Sequence, residues 1–234
     1  MKRQRKVVSP EDARRIAAQV RNDVEHTPGI SERIPAIGAR IETFAAILAL
    51  WGSKSNLTAR PRDPVEIAFH VMDSLMPLVL ALGDDPGPFA GVFDSGQRIL
   101  DIGSGAGFPG LILAAACEAD FTLMESRRKR ASFLSFAIAE MGLVNARVEQ
   151  SRAPDMRKEY DLVVERAVGG SDFFALAHAV LKPGGLALRY VSEAQMLEPE
   201  DAAAVGFGDC VQSKYSLIHN DRTVNRVLAT WRKS

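Results

Sequence analysis

The spacing of apolar residues changes near residue 90 of the chain. Before that point apolar side chains recur every three or four positions, which is the spacing of amphipathic helices. The set with the clearest spacing comprises Ile37, Ile41, Phe44, Ile47, Leu48 and Trp51. Ser9-Pro10 and Asp63-Pro64 each place a capping side chain before a proline, as at the start of a helix. We therefore predict helices across residues 10–50 and a further helix that begins at Asp63.

After residue 90 short apolar runs alternate with helical segments. Strands are predicted at 98–102, 120–125, 144–149, 160–165 and 186–191. Helices are predicted between them, at 109–117, 127–141 and 172–181. This alternation is typical of an α/β domain with a mostly parallel sheet. The last segment, 211–231, predicts two further strands joined at His219-Asn220-Asp221, an antiparallel hairpin that brings the sheet to seven strands.

A segment rich in glycine, proline and aspartate separates the two patterns, from Gly83 to Gly96. This composition is typical of a linker between folded units. We therefore predict an N-terminal helical extension over residues 1–90, packed on an α/β domain over residues 91–234.

The overall composition limits the class of protein. The chain has 234 residues, is 47% hydrophobic and 25% charged, and has a formal net charge of zero, as in a soluble globular protein. Neither its two cysteines nor its histidines have the spacing of metal ligands, and two cysteines form no disulfide framework. No apolar run reaches the ~18 residues that span a bilayer. We expect a cytoplasmic protein with no metal site and no membrane association.

One predicted strand ends in a glycine-rich turn. The stretch ILDIGSGAGFPG, residues 99–110, has an apolar run, an acid and then glycines at close intervals. Glycine allows a sharp turn and lets a ligand approach the backbone. Gly105, Gly107 and Gly110 match the G-x-G-x-x-G pattern of dinucleotide sites, a weak signal by itself. The turn predicts an adenosine-containing cofactor, and a tight turn without a ligand is the alternative.

Two acidic residues bear on which cofactor the turn binds. Glu125 ends the next predicted strand, where a carboxylate accepts hydrogen bonds from the ribose hydroxyls of either a dinucleotide or S-adenosylmethionine. Asp101 lies beside the turn, where a carboxylate repels a pyrophosphate and attracts the sulfonium and ammonium groups of S-adenosylmethionine. We therefore favour S-adenosylmethionine over NAD. The alternative for Asp101 is an acid that only caps the helix or stabilises the turn.

Several short motifs match one known family in order and spacing. In the α/β part they are DIGSGAGFPG (101–110), FTLMES (121–126), K-R-x-x-F-L (129–134), Ser151-Arg152 and Glu165-Arg166-Ala167. In the helical part they are N-L-T (56–58), R-D-P (62–64) and H-x-x-D-S (70–74). With these motifs the chain resembles the bacterial ribosomal RNA small subunit methyltransferase G family, also called glucose-inhibited division protein B. The resemblance covers about residues 35–190.

The resemblance implies a class I S-adenosylmethionine-dependent methyltransferase fold and methylation of guanine N7 in 16S ribosomal RNA. The partner would be 16S ribosomal RNA or the 30S subunit, and we expect the protein to be a monomer. Guanine N7 has a lone pair and no proton, so positioning can replace a general base. The fourth predicted strand is followed by VERAVGG (164–170) rather than an Asn/Asp-Pro-Pro-aromatic motif, which is evidence against methylation of an amino group.

Residue roles follow from the glycine turn and the resemblance together. The predicted cofactor contacts are Asp101, Gly103, Gly105, Gly107, Phe108, Glu125, Ala153, Pro154 and Arg166. Within that set, Glu125 would hold the ribose, and the backbone at Ala153-Pro154 would flank the adenine. Arg166, at the opening for cofactor and substrate, and His70 are the catalytic candidates, through positioning rather than acid–base chemistry. From spacing alone, a packing or capping role for His70 is an equal alternative.

Three arginines are predicted to contact RNA. Arg127 and Arg128 begin a helix, where positive charge is unfavourable, so either RNA contact or ion pairing to nearby acids must compensate. Arg189 is the third, because the family has Leu-Lys-Gly after the fifth strand and this chain has LRYVS (188–192). That change, with the loss of a backbone N–H at Pro154, leaves a drifted specificity or a non-catalytic RNA-binding or assembly protein as the alternative function.

Overall fold

Helices come first along the chain, and strands and helices then alternate. The computed structural model describes residues 8–27, 29–34, 37–52, 57–152, 159–166, 173–192 and 200–234. Its helices are α1 (Pro10–Glu25), α2 (Ile30–Arg33), α3 (Gly38–Gly52), α4 (Pro64–Ala81), α5 (Gly110–Ala116), α6 (Arg128–Glu140), α7 (Phe173–Val180) and α8 (Glu200–Ala203). Its strands are β1 (Arg98–Ile102), β2 (Asp120–Met124), β3 (Ala146–Glu149), β4 (Tyr160–Arg166), β5 (Leu181–Ser192), β6 (Val211–His219) and β7 (Arg222–Arg232).

Side-chain caps set the starts of α1 and α4. The Ser9 hydroxyl accepts a hydrogen bond from the Asp12 backbone N–H at 3.0 Å. The Asp63 carboxylate accepts one from the Val65 N–H at 3.1 Å. Each bond satisfies a backbone donor that has no partner within the helix. The two predicted helix starts are confirmed.

The seven strands form a single sheet in the order β3-β2-β1-β4-β5-β7-β6. Strands β1 to β5 pair in parallel, whereas β7 is antiparallel to both β5 and β6. The turn of the β6–β7 hairpin has positive φ at Asn220 (51°) and Asp221 (57°), as a two-residue type I′ turn requires. The predicted parallel sheet and the predicted hairpin are both confirmed.

Helices cover both faces of the sheet, because successive side chains of a strand point to opposite faces. Ile99 of β1 and Leu162 of β4 belong to a buried cluster that also contains the apolar residues of α1, α3, α4 and α5. Leu100 and Val163, the next residues along, belong to a second cluster with α7. The N-terminal helices therefore share one core with the sheet.

The segment from Gly83 to Gly96 differs from the predicted linker. Phe89 is completely buried and Phe93 is 4% exposed, and both belong to the main core. A short 3₁₀ helix at Gly87–Phe89 places the first of these rings. Each of the two phenylalanines removes a large apolar area from water, which is enough to hold the segment on the core. The glycine, proline and aspartate residues around them give the segment the composition of a linker.

Helix α4 is long and apolar enough to cross a membrane, by length and composition alone. In the structure 61% of its 18 residues are buried inside the protein. Its apolar character is therefore that of a core helix, which packs between the sheet and α1.

Candidate functional site

The glycine turn after β1 has a backbone that only glycine adopts readily. Gly103, Gly105 and Gly107 have φ values of +75°, +57° and +95°. These values lie in the left-handed region, where a Cβ is unfavourable. The turn lies at the carboxyl end of β1, next to the central strand β4, and ligands bind at the carboxyl ends of the strands in open α/β sheets.

Asp101 is buried beneath this turn and is 1% exposed. Its Oδ2 accepts a hydrogen bond from the Gly110 backbone N–H at 3.1 Å, at the start of α5. Its Oδ1 is buried without a hydrogen-bond partner among the described residues. Burial raises the pKa of Asp101 to about 7. The carboxyl group therefore supports the helix start and has one oxygen left for a further donor.

Glu125 braces the glycine turn from the end of β2. Its Oε2 accepts from the Gly105 N–H at 3.1 Å, and its Oε1 accepts from the Arg127 N–H at 2.7 Å. The Arg130 guanidinium lies 3.9 Å from Oε2. Each carboxylate oxygen has a second acceptor position, so these contacts leave Glu125 able to accept from a ligand hydroxyl.

A cavity of about 560 Å³ opens at the glycine turn, and we call it the glycine-turn pocket. Most of the predicted site residues line it, namely His70, Gly103, Gly105, Phe108, Glu125, Arg127 and Arg166. Asp101, in β1, and Gly107, in the turn, are not in the pocket wall. Ala153 and Pro154 lie outside the described residues. Two glycines beside a carboxylate in the cavity wall suit a ligand with ribose hydroxyls.

A second cavity of about 950 Å³ adjoins this pocket, and we call it the arginine groove. It shares Leu57, Thr58, Ala59 and Arg130 with the glycine-turn pocket. Arg60 and Arg62 also line it. Arg60 is paired with two acids at the start of α4, at 3.9 Å from the capping residue Asp63 and 3.6 Å from Glu66. Because three arginines, Arg60, Arg62 and Arg130, line the groove, it continues the glycine-turn pocket as a mainly basic surface.

Arg166, the last residue of β4, lies between two aromatic rings in the pocket wall. Its guanidinium carbon is 5.7 Å from the Phe108 ring centroid and 5.9 Å from that of Tyr190. Its Nη2 donates to Nδ1 of His70 at 2.7 Å. Arg166 and His70, which are far apart in the sequence, therefore form one unit.

Asp73 of α4 holds this unit in place, and the sequence did not identify it as a site residue. Its fully buried carboxylate lies 3.0 Å from Arg166 Nη2 and accepts from the Tyr215 hydroxyl at 2.6 Å. Arg226 donates to both oxygens at 3.2 Å. The only local signal was its place in the H-x-x-D-S motif, since both hairpin partners come from the far end of the chain.

His70 is held neutral by its surroundings. Burial lowers the pKa of its imidazole to about 4, and the positive charge of Arg166 adds to that effect. The ring lies 5.2 Å from the Phe108 ring. A neutral imidazole in the pocket wall has one nitrogen that donates and one that accepts.

The three arginines predicted to contact RNA differ in their surroundings. Arg127 and Arg128 are exposed at the start of α6. Arg189 is 15% exposed, pairs with Glu165 at 3.3 Å and lies over the Phe173 ring at 5.2 Å. The first two are open to an RNA backbone as they stand, whereas the guanidinium of Arg189 is engaged on the α7 side of the sheet.

Within the described ranges, no three His, Cys, Asp or Glu side chains come together as metal ligands would.

Comparison with known proteins identifies relatives that match most of the chain. The family model GidB, described as rRNA small subunit methyltransferase G, matches residues 38–222. A ribosomal RNA small subunit methyltransferase G from Wolinella succinogenes is 34% identical over 179 residues, which are 75% of this chain and 86% of the relative. One from Acidiphilium cryptum is 41% identical over 167 residues, 67% of this chain and 71% of the relative.

Solved structures with a similar fold are more distant in sequence. A precorrin-6y C5,15-methyltransferase from Geobacter metallireducens has a TM-score of 0.51 at 12% identity, over 68% of this chain and 87% of the other. A methyltransferase from Pyrococcus furiosus has a TM-score of 0.50 at 17% identity, over 61% of this chain and 77% of the other. At these identities the likeness concerns the fold alone, and it confirms the predicted class I methyltransferase architecture.

Proposed function

Because the chain belongs to the rRNA small subunit methyltransferase G family, we propose that it transfers a methyl group from S-adenosylmethionine to N7 of a guanine in 16S ribosomal RNA. The observation that supports this most directly is the glycine-turn pocket. It brings Gly103, Gly105 and Glu125 together with the Arg166–His70 pair. One cavity thus has one side suited to the cofactor and another suited to a guanine of the RNA.

The residues of the pocket fit S-adenosylmethionine, which when bound supplies an electrophilic methyl group on a sulfonium. The left-handed glycines Gly103 and Gly105 line the pocket, where the lack of a Cβ lets a ligand approach their backbone. Glu125 is placed to accept from the ribose hydroxyls. The attraction of Asp101 for the cationic end remains a prediction from the sequence, because this carboxyl group lies beneath the turn and outside the pocket wall. Phe108 supplies an apolar wall. The contact of Ala153-Pro154 with the adenine remains a prediction from the family pattern.

The chemistry assigned to this chain is positioning. Guanine N7 has no proton to remove, so no base is needed. His70 is neutral and Arg166 is held by α4, so neither is arranged for proton transfer. Both instead present fixed groups at the edge of the pocket, where they would orient a guanine.

The basic rim is where we place the RNA backbone. Arg127 at the glycine-turn pocket, with Arg62 and Arg130 in the arginine groove, forms a continuous positive surface. Arg128 extends that surface along α6. For Arg189 we retain RNA contact as a prediction that requires release from Glu165. A stacked or paired target guanine would be flipped into the pocket.

We propose further that residues 1–90 act as a helical extension packed on the α/β domain of residues 91–234. The protein would work in the cytoplasm as a monomer, on 16S ribosomal RNA or the assembled 30S subunit.

The test is methyl transfer from labelled S-adenosylmethionine to 16S ribosomal RNA and to 30S subunits from a strain that lacks the modification. We expect label at N7 of a single guanine, mapped by nuclease digestion and mass spectrometry. Binding of ribosomal RNA without any label would favour a non-catalytic assembly protein. Titration with NAD checks the other cofactor.

A further inference from the structure

Arg166 lies in the pocket wall, yet its hydrogen-bond donors are directed at the protein. Nη1 donates to the His70 carbonyl oxygen at 3.2 Å and to the Ser74 hydroxyl at 3.1 Å. Nη2 donates to His70 Nδ1 at 2.7 Å and lies 3.0 Å from Asp73 Oδ2. Each Nη nitrogen has two hydrogens. Three hydrogen bonds and one ion pair therefore direct both Nη nitrogens of Arg166 at residues of α4.

This arrangement fixes the tautomer of His70. A guanidinium has donors and no acceptor, so the ring nitrogen 2.7 Å from Nη2 must be the acceptor. Nδ1 therefore has no proton, and the neutral ring has its hydrogen on Nε2. Burial holds the pKa of His70 at about 4, so this neutral form persists at physiological pH.

The Nε2–H of His70 is available to a ligand. Among the residues that the structure describes, none accepts a hydrogen bond from it. His70 lines the glycine-turn pocket, and its ring lies 5.2 Å from that of Phe108, a residue of the glycine turn. The wall of the glycine-turn pocket therefore contains a fixed, neutral donor beside the glycine turn.

Guanine offers an acceptor that such a donor fits. Its major-groove edge has two adjacent acceptors, N7 and O6, whereas adenine has N7 beside an amino group. In the proposed reaction N7 receives the methyl group and O6 remains free. Resting on the proposed function, we infer that the His70 Nε2–H donates to O6 of the target guanine and so selects guanine over adenine.

In this assignment Arg166 is a positioning residue. It sets which nitrogen of His70 has the hydrogen, and Asp73 in turn holds Arg166 at 3.0 Å. Adenine would place its amino donor against the Nε2–H, and two donors facing each other leave both unpaired. The selection thus follows from a hydrogen-bond pattern rather than from pocket size.

The test removes O6 and the imidazole separately and then together. A 16S RNA is assembled by ligation so that 2-aminopurine replaces the guanine that the labelling experiment maps. 2-Aminopurine keeps N7 and lacks O6. With the wild-type protein we expect kcat/KM to fall about 10- to 100-fold relative to guanine. With His70→Phe the two bases should differ less than about threefold, because the donor is absent. An equal penalty in both proteins would overturn the inference.

Two further variants sharpen the comparison. His219→Phe is the matched control, because His219 stacks on Phe69 at 4.6 Å but lies outside the wall of the glycine-turn pocket. It should keep the full preference for O6. His70→Gln should restore part of the preference, since its amide oxygen can accept from Arg166 while its amide nitrogen donates.

A second measurement needs neither activity nor a folded variant. Nitrogen-15 NMR of wild-type protein labelled at histidine should show His70 with an unprotonated Nδ1 and a protonated Nε2 from about pH 5 to about pH 8. The charged groups that act on the ring are Arg166, Arg226 and His219, which oppose a second proton, and Asp73, which favours it. A hydrogen on Nδ1 would contradict the inference.

The outcomes separate this inference from the proposed function. If no guanine of 16S RNA is methylated, the proposed function itself fails. If guanine is methylated at N7 but the penalty for losing O6 does not depend on His70, only the inference fails.

Discussion

Asp73 shows how much a single side chain contributes to the site. Its carboxylate is completely buried and balances two guanidinium groups, those of Arg166 and Arg226. It also accepts from the Tyr215 hydroxyl. A buried charge of this kind is stable only while its partners are present, so loss of the carboxylate affects both stability and the Arg166–His70 pair.

Asp73→Asn should therefore lower the free energy of unfolding by about 3–5 kcal/mol, because the buried cation Arg166 and the partly buried cation Arg226 lose their counterion. Urea denaturation followed by circular dichroism measures the change. Asp84→Asn is the control, since Asp84 is exposed and should change stability by less than about 0.5 kcal/mol. A loss below about 1 kcal/mol in Asp73→Asn would show that the network contributes little to folding.

Asp101 gives a prediction about pH. Burial raises its pKa from 3.8 to about 7, so between these values the folded protein retains a proton that the unfolded chain releases. The stabilisation from this group is complete below about pH 4 and is lost as the pH rises through about 7. His70, whose pKa is lowered to about 4, has the opposite effect over part of this range.

The difference between wild type and Asp101→Asn isolates that contribution. We expect the stability of the wild type relative to the variant to fall from about pH 4 to about pH 7 and then to level off. Chemical denaturation at several pH values measures this difference. For the reference variant Asp84→Asn, the free energy of unfolding should change with pH in parallel with that of the wild type. Parallel curves for Asp101→Asn would mean that Asp101 is ionised throughout.

Helix α6 begins in a way that helix physics disfavours. Its N-cap, Arg127, makes no side-chain cap, and its first turn has basic residues and no acid. The positive end of the helix dipole lies at the same place. Glu125, which accepts from the Arg127 N–H at 2.7 Å and lies 3.9 Å from Arg130, offsets part of this cost. RNA binding is the further gain that we propose.

Arg128→Glu should raise the stability of the protein and lower its affinity for RNA. We expect the free energy of unfolding to rise by about 0.3–1 kcal/mol at low salt, because an acid complements the helix dipole. The affinity for 16S RNA should fall about 3- to 10-fold in a filter-binding assay. Arg14→Glu makes the same charge change on α1 and should leave the affinity within about twofold. Greater stability with unchanged affinity would argue against an RNA contact at Arg128.

The protein as a whole has no net charge, yet its basic residues are unevenly placed. Arg60, Arg62, Arg127 and Arg130 line the two adjoining cavities. A local positive surface attracts a polyanion even when the total charge is zero. Binding should therefore depend on salt through this one face of the molecule.

For the whole molecule we expect the logarithm of the RNA affinity to fall linearly with the logarithm of the salt concentration. Arg62→Gln should reduce that slope by about 0.7–1, the effect of one lost phosphate contact. Fluorescence anisotropy over a range of salt concentrations measures it. Arg98→Gln, at the opposite end of β1 from the glycine turn, should leave the slope unchanged.

Local patterns were enough to predict most of the fold. The periodicities of the strands, the caps at Ser9 and Asp63, and the glycine turn depend on residues close in sequence, where backbone geometry acts directly. The same patterns missed the packing of Phe89 and Phe93, because burial of an isolated ring depends on what lies opposite it.

The sequence by itself determined the α/β architecture, the glycine turn and, through its motifs, the family. Only the tertiary structure decided which charges meet. Arg166 reaches His70 across 96 positions, and Arg226 reaches Asp73 across 153. Likewise, Arg189 pairs with Glu165 only because β4 and β5 are neighbours in the sheet. Such pairs form when the sheet brings distant segments together, and no local spacing encodes them, which is why the donor on His70 became visible only in the fold.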